Sequence, residues 1–228
     1  IQRWEATTDA SPVAGGSWVP ATTFPPDVES PDHLGPKLSQ LRTLAPGAAI
    51  FISLGPFRLV EELKRFLARQ SDGQRMPDGV IVRLDQATLT PLKIAQQTLR
   101  LRKLVDEIGE KGLPLWIAPE NATPDDAARL IALGASGVAV DSWCDEFVEE
   151  LANPSEAMAA SFGYHANGIV ISGESARSRL NDWVSDVLTP MVARFNGLCR
   201  SLHPDPSQCL CSFDREWSKA LGVKYVGL

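Results

Sequence analysis

Three carboxylates stand where chemistry is easiest to place. Asp85, Glu120 and Asp141 each follow closely on a short apolar run: Gly79-Val80-Ile81-Val82-Arg83-Leu84, Leu113-Pro114-Leu115-Trp116-Ile117-Ala118 and Gly137-Val138-Ala139-Val140. If these runs are adjacent parallel strands, the acids gather on the carboxyl-end rim of one sheet, where barrel enzymes keep their reacting groups. Carboxylates held together there can bind a cation or transfer a proton. These three are therefore the candidate catalytic residues. The competing reading is structural, with the acids capping loops or pairing with Arg83 and neighbouring lysines. Lys93, just beyond the Asp85 loop, has the same two readings: a group facing a substrate, or a solvated helix lysine.

Other reactive types are less well arranged. Cys209-x-Cys211, with Cys199 and His203 nearby, has the ligand types that suit zinc. A one-residue gap is too short for both thiolates to chelate one ion as structural sites do, so no metal site is assigned. His33 and His165 lack a neighbouring serine or cysteine in a nucleophile motif. Gly173-Glu174-Ser175 reads as a tight turn, without the strand–Gly-x-Ser-x-Gly–helix setting of a nucleophile elbow.

The elements that would position the carboxylates repeat regularly. A cap at Ser30-Pro31-Asp32 leads an amphipathic run through Leu34, Leu38, Leu41 and Leu44, followed by the strand Ala49-Ile50-Phe51-Ile52-Ser53-Leu54. A helix with Leu59, Val60, Leu63, Phe66 and Leu67 on one face comes next. The strand-then-helix order recurs with strands over 79–84, 113–118 and 137–140 and helices over 91–108 and 124–133. Short, nearly continuous apolar strands alternating with crossover helices imply a parallel sheet covered by helices. The fold class is α/β, with about four strand-helix units of a partial (β/α)8 TIM-barrel-like sheet. Residues 1–29, dense in Pro, Gly, Ser and Thr, read as an extended N-terminal arm; 30–145 as half-barrel βα repeats; 146–228 as a C-terminal helical cap. Within the cap, helices are expected over 146–161 and 180–202, an irregular or strand-containing insert over 163–175, and a closing tail from Trp217.

Bulk properties narrow the partners. The chain of 228 residues carries a net charge of −6, which disfavours a phosphate-neutralising surface for nucleic acid. No run of roughly 20 apolar residues is present to insert in a membrane. Four cysteines are few for the length, which favours a reducing compartment, so the expected location is cytoplasmic. A start at Ile1 is expected for a processed product or a fragment.

The order of segments resembles the C-terminal half of the FMN-binding domain of the glutamate synthase family. The resemblance rests on Ser30-Pro31-Asp32-His33-Leu34 with Leu41-Arg42 and the Ile50 strand, and on the strand from Gly79 to Asp85. It rests further on Thr123-Pro124-Asp125-Asp126 with Ala132-Leu133-Gly134-Ala135, and on Phe213-Asp214-Arg215-Glu216 with Leu221-Gly222-Val223-Lys224-Tyr225-Val226-Gly227. It covers about four fifths of the chain and implies an oxidoreductase ancestry with FMN as cofactor. In that pattern Asn121, Thr123 and Ser142 would be the cofactor-binding residues.

The departures from the family point the other way. The loop Asp85-Gln86-Ala87-Thr88-Leu89-Thr90-Pro91 lacks the glycines that let backbone approach a flavin. Pro119-Glu120 stands where paired glycines would donate N–H groups to the phosphate, removing a donor and adding a like charge. Asp125 and Asp126 occupy the helix start that the phosphate would use, and Asp141-Ser142-Trp143 replaces a Gly-x-Gly turn. Only Cys144 lies where relatives cluster three cysteines, so no iron-sulfur cluster is expected. The expectation is a pseudoenzyme without its own flavin, with FMN binding as the alternative and enzyme status undecided. Half a barrel also leaves sheet edges to cover, which predicts a homo-oligomer or a partner subunit, or else coverage by the N-terminal arm and the C-terminal helix.

Overall fold

The computed structural model describes residues 28, 34–68, 76–108, 112–152, 164–165, 168–169, 173–201 and 214–225. The expected arm apart from Val28, the cap at 30–32, and His33, His203, Cys209 and Cys211 lie outside the described residues. The chain divides into two compact units, the first formed by residues 1–119 and 133–138 and the second by 120–132 and 139–228.

The first unit is the parallel α/β layer that the repeating pattern predicts. Helix α1 (Leu34–Leu44), strand β1 (Phe51–Leu54), α2 (Leu59–Ala68), β2 (Gly79–Arg83), α3 (Pro91–Glu107), β3 (Leu115–Ala118) and β4 (Gly137–Val138) follow in order. Between β3 and β4 the chain passes through α4 (Pro124–Ala132), which belongs to the second unit. The strands lie side by side in chain order, β1-β2-β3-β4, with every pairing parallel. Strand alternation sorts the side chains. Leu54, Val80, Val82, Leu115 and Ile117 are buried, and so are Leu59, Leu63 and Leu67 of α2 and Ile94, Ala95, Thr98, Leu101 and Val105 of α3. The spacing of these helix residues gives each helix one apolar stripe, which is what a sheet-covering helix requires. Thr98, the polar member of the stripe, donates its hydroxyl to the Ile94 carbonyl at 2.9 Å, so its burial leaves no unmet donor.

The opposite sheet face differs. The register places Phe51, Ser53, Gly79, Ile81, Arg83, Trp116 and Gly137 together on it. Phe51 and Trp116 meet with ring centroids 5.3 Å apart. Each ring lies over a glycine: a Cβ on Gly79 would come within 2.2 Å of Phe51, and one on Gly137 within 3.3 Å of Trp116. Ser53 is exposed and Trp116 is 47% exposed, so this largely apolar face is open at those positions, while Phe51, Ile81 and Arg83 are half-buried.

A carboxylate ties the start of the sheet together. Asp78 accepts from the Ile50 amide at 2.7 Å and from Arg42 of α1 at 2.9 Å, while Arg42 also donates to the Met76 carbonyl at 2.7 Å. The Ile50 amide and the Arg42 guanidinium hold the Asp78 carboxyl below the usual carboxylate range.

The second unit is mostly helical. Besides α4 it contains a 3-10 turn at Asp141–Cys144, α5 (Asp145–Ala152), and β5 (Tyr164–His165) paired antiparallel with β6 (Gly168–Ile169). It then has α6 (Gly173–Trp183), a π-helical turn at Val184–Leu188, α7 (Thr189–Ser201) and α8 (Arg215–Leu221). Three expectations are corrected. Gly173-Glu174-Ser175 opens α6 instead of forming a tight turn, and this helix begins seven residues before the expected apolar-faced one. Its first turns are polar, so apolar periodicity could not reveal them. The closing tail is a capped helix: Asp214 accepts from the Trp217 amide at 2.9 Å, and Gly222 ends α8 at φ 67°. The expected strand-containing insert does hold strands, β5 and β6.

Candidate functional site

Each carboxylate is best understood from the segment that carries it. In the first unit β2 runs directly into a 3-10 turn at Leu84–Gln86, closed by the Ala87 amide on the Leu84 carbonyl at 3.3 Å. Asp85 sits in this turn, and Arg83, two residues earlier, grips it with Nε at 2.8 Å from Oδ1 and Nη2 against Oδ2. The fork holds the Asp85 carboxyl below its ordinary range, so it stays ionised at neutral pH. A permanently charged, ion-paired carboxylate is a poor proton donor near neutrality, so the Arg83 pairing weighed from the sequence is the one formed. Lys93 lies exposed in the first turn of α3, a helix capped by Thr90.

In the second unit Glu120, Asn121 and Thr123 form the approach to α4, and Asp141 and Ser142 begin the 3-10 turn that leads to α5. Trp143 joins the two segments: its indole Nε1 donates to the Ala122 carbonyl, and both residues are buried. The indole also meets Phe195 of α7 edge-on at 6.3 Å. Glu120, Asn121, Thr123 and Asp141 are exposed and Ser142 is half-buried. The structure thus joins the segments carrying the three candidate cofactor contacts and two of the three candidate catalytic acids, by a tryptophan that no local sequence signal marks for this role.

The start of α4 is already occupied. The Thr123 hydroxyl donates to Asp126 Oδ2 at 2.6 Å and accepts from the Asp126 amide at 3.2 Å, and the Thr123 amide reaches the same carboxylate at 3.3 Å. This reciprocal arrangement is a capping box with aspartate in the acidic position. Asp125, read from the sequence as a complement to the helix dipole, takes a bidentate grip from Arg194 of α7 at 2.6 and 2.9 Å. Arg194 holds the Asp125 carboxyl below its usual range, and Asp125 raises the guanidinium in return. Arg129 completes the surface of α4, bonded to Asp126 at 3.1 Å and lying 5.0 Å from the Trp217 ring centroid on α8. Neither long-range partner of α4 was visible in the sequence, because 69 residues separate Asp125 from Arg194 and nothing local marks the pair.

Cys144 and Cys199 are free thiols, and burial raises the Cys199 thiol above its ordinary range. His165 lies in β5. Among the described residues no group of three His, Cys, Asp or Glu side chains is placed to hold a metal ion. No helix among them is long and apolar enough to cross a membrane.

What these features define is a parallel α/β layer of four strands with a helical second unit. Compared with protein-family profiles, curated proteins and solved structures, the chain matches none.

Proposed function

We propose that this chain is a scaffold or interaction component built on a degenerate glutamate-synthase-like half barrel, working without a flavin of its own. The observation that carries the reading is the open apolar sheet face, with Trp116 47% exposed beside Phe51. A contiguous exposed apolar patch in a folded protein marks a surface that another surface covers. Support comes also from the candidate residues, taken unit by unit. In the second unit the start of α4, where a phosphate would sit in the resembled family, is taken up by the Thr123–Asp126 box and the Asp125–Arg194 pair, and Glu120 just before it in the chain adds a further carboxylate, which disfavours a phosphate dianion. In the first unit Asp85 is held by Arg83.

The test is an absorption scan of protein isolated from its native source, at about 450 nm where flavins in general absorb. No band is expected. A stoichiometric flavin band would replace this reading by the alternative, an FMN-dependent glutamate-synthase-like oxidoreductase whose active site another chain or an upstream segment completes.

A further inference from the structure

Backbone accounting in the first unit leaves a specific demand. Among the described residues β1 pairs only with β2, and β4 only with β3, so each outer strand has one edge of N–H and C=O groups without a strand partner. Unpaired edges are costly or aggregation-prone unless something covers them. The same sheet carries the face of Phe51, Ser53, Ile81 and Trp116, exposed at Ser53 and Trp116, with Arg83, ion-paired to Asp85, at its carboxyl end. Among the described residues, two features therefore coincide on one four-stranded parallel sheet: two edges without a strand partner and one apolar face exposed at Trp116.

We infer that the occupant is a second copy of this chain, and that two sheets close into one eight-stranded parallel barrel around a shared interior. The argument is geometric self-complementarity. A two-fold axis parallel to the strands leaves all eight strands parallel. It sets β4 of each copy beside β1 of the other, so a single operation pairs all the free edges. The same operation turns the two open faces toward each other. Eight strands is the number at which a barrel interior is just filled by side chains, and two-fold dimers are the commonest closed assembly. An unrelated partner helix could cover the face but would leave both edges unpaired. The interface would contain two sheet faces and four strand edges, and a stable dimer needs roughly 1,200 Å² or more of buried surface in total. The rings lying over Gly79 and Gly137 give each face its interior layer before the copies meet.

This inference rests on the interaction reading above and adds the partner. It predicts that the purified full chain has twice the 24.7 kDa mass of one copy in light scattering. The discriminating variant is Ser53→Lys. Ser53 is exposed in the single sheet, so a lysine there is tolerated by one copy, yet closure would bury that charge in the barrel interior. At least a ~100-fold weaker dimer is expected, from the several kcal/mol that burying an unpaired charge costs. Trp116→Lys is the second variant, with far-UV circular dichroism confirming that each copy remains folded. Hydrogen exchange is the third readout: amides on the free edges of residues 51–54 and 137–138 should be protected in the dimer and lose protection in Ser53→Lys. A monomeric wild-type chain overturns the inference, as does a dimer that both variants leave intact while those edges exchange freely. These results are separable from the flavin test, because a flavin-free monomer sinks the closure alone and a flavin-bearing dimer sinks the scaffold reading alone.

Discussion

Asp78→Asn is the substitution whose consequence follows most directly from the geometry. The carboxylate receives the Ile50 amide at 2.7 Å and Arg42 Nη2 at 2.9 Å, so it fastens both α1 and the entry to β1 to the residue just before β2. An asparagine keeps one acceptor oxygen but turns an N–H₂ toward one of the two donors and removes the charge. Hydrogen bonds to charged groups are worth roughly 1.5–3 kcal/mol each. The Asp78 side chain is 36% exposed, and Arg42 keeps its 2.7 Å bond to the Met76 carbonyl, so water and a surviving contact reduce the loss. The expected destabilisation is about 1–2 kcal/mol at neutral pH.

The sign with pH follows from the lowered carboxyl. Because Asp78 ionises more readily in the folded chain than in the unfolded one, its contribution is full above the unfolded carboxylate value of about 3.9. It drains away as pH falls through the lower folded value. Urea unfolding of wild type and Asp78→Asn at neutral pH and again at about pH 2 measures both effects, with exchange at the Ile50 amide as a local check. Equal stability at neutral pH, or a gap of the same size in acid, would refute the assignment of Asp78 as a charged clamp.

Two further substitutions probe separate parts of the molecule. Gly134→Ala puts a side chain at φ 101°, with its Cβ 2.4 Å from Arg102 Cγ. Arg102 is itself held by Asp106 at 2.7 Å and the Leu113 carbonyl at 3.0 Å, so a loss of about 1–3 kcal/mol is expected in thermal or urea unfolding, and none would mean that this turn relaxes freely. Trp143→Phe keeps an aromatic ring against Phe195 but leaves the buried Ala122 carbonyl without its donor. It should cost about 1–3 kcal/mol and speed amide exchange in residues 120–123, and unchanged exchange there would show that the indole does not join the two segments.

Much of the sheet layer was legible in the sequence. Gly79-Val80-Ile81-Val82-Arg83 and Leu115-Trp116-Ile117-Ala118 are short apolar runs between helical periods, and such runs have few solutions other than neighbouring parallel strands. The helix starts at Pro91 and Pro124 were legible because proline suits a first turn, while the caps that Thr90 and Thr123 supply there are what the structure adds. Local signals also made the Arg83–Asp85 pairing readable as an alternative to catalysis.

What the sequence could not decide depends on residues that are distant along the chain. Arg194 reaching Asp125, Trp143 closing on Ala122 and Arg129 meeting Trp217 are set by how helices and turns pack, and no periodicity encodes them. The openness of the Phe51–Trp116 face belongs with these. Trp116 sits in a run that reads as buried on both sides, and only the three-dimensional arrangement shows which side of the sheet the helices cover. Composition and spacing determined the elements, because backbone hydrogen bonding and apolar periodicity act over a few residues. Tertiary structure alone decided which carboxylates are neutralised by a partner and which apolar face is left uncovered, because both depend on contacts across the fold.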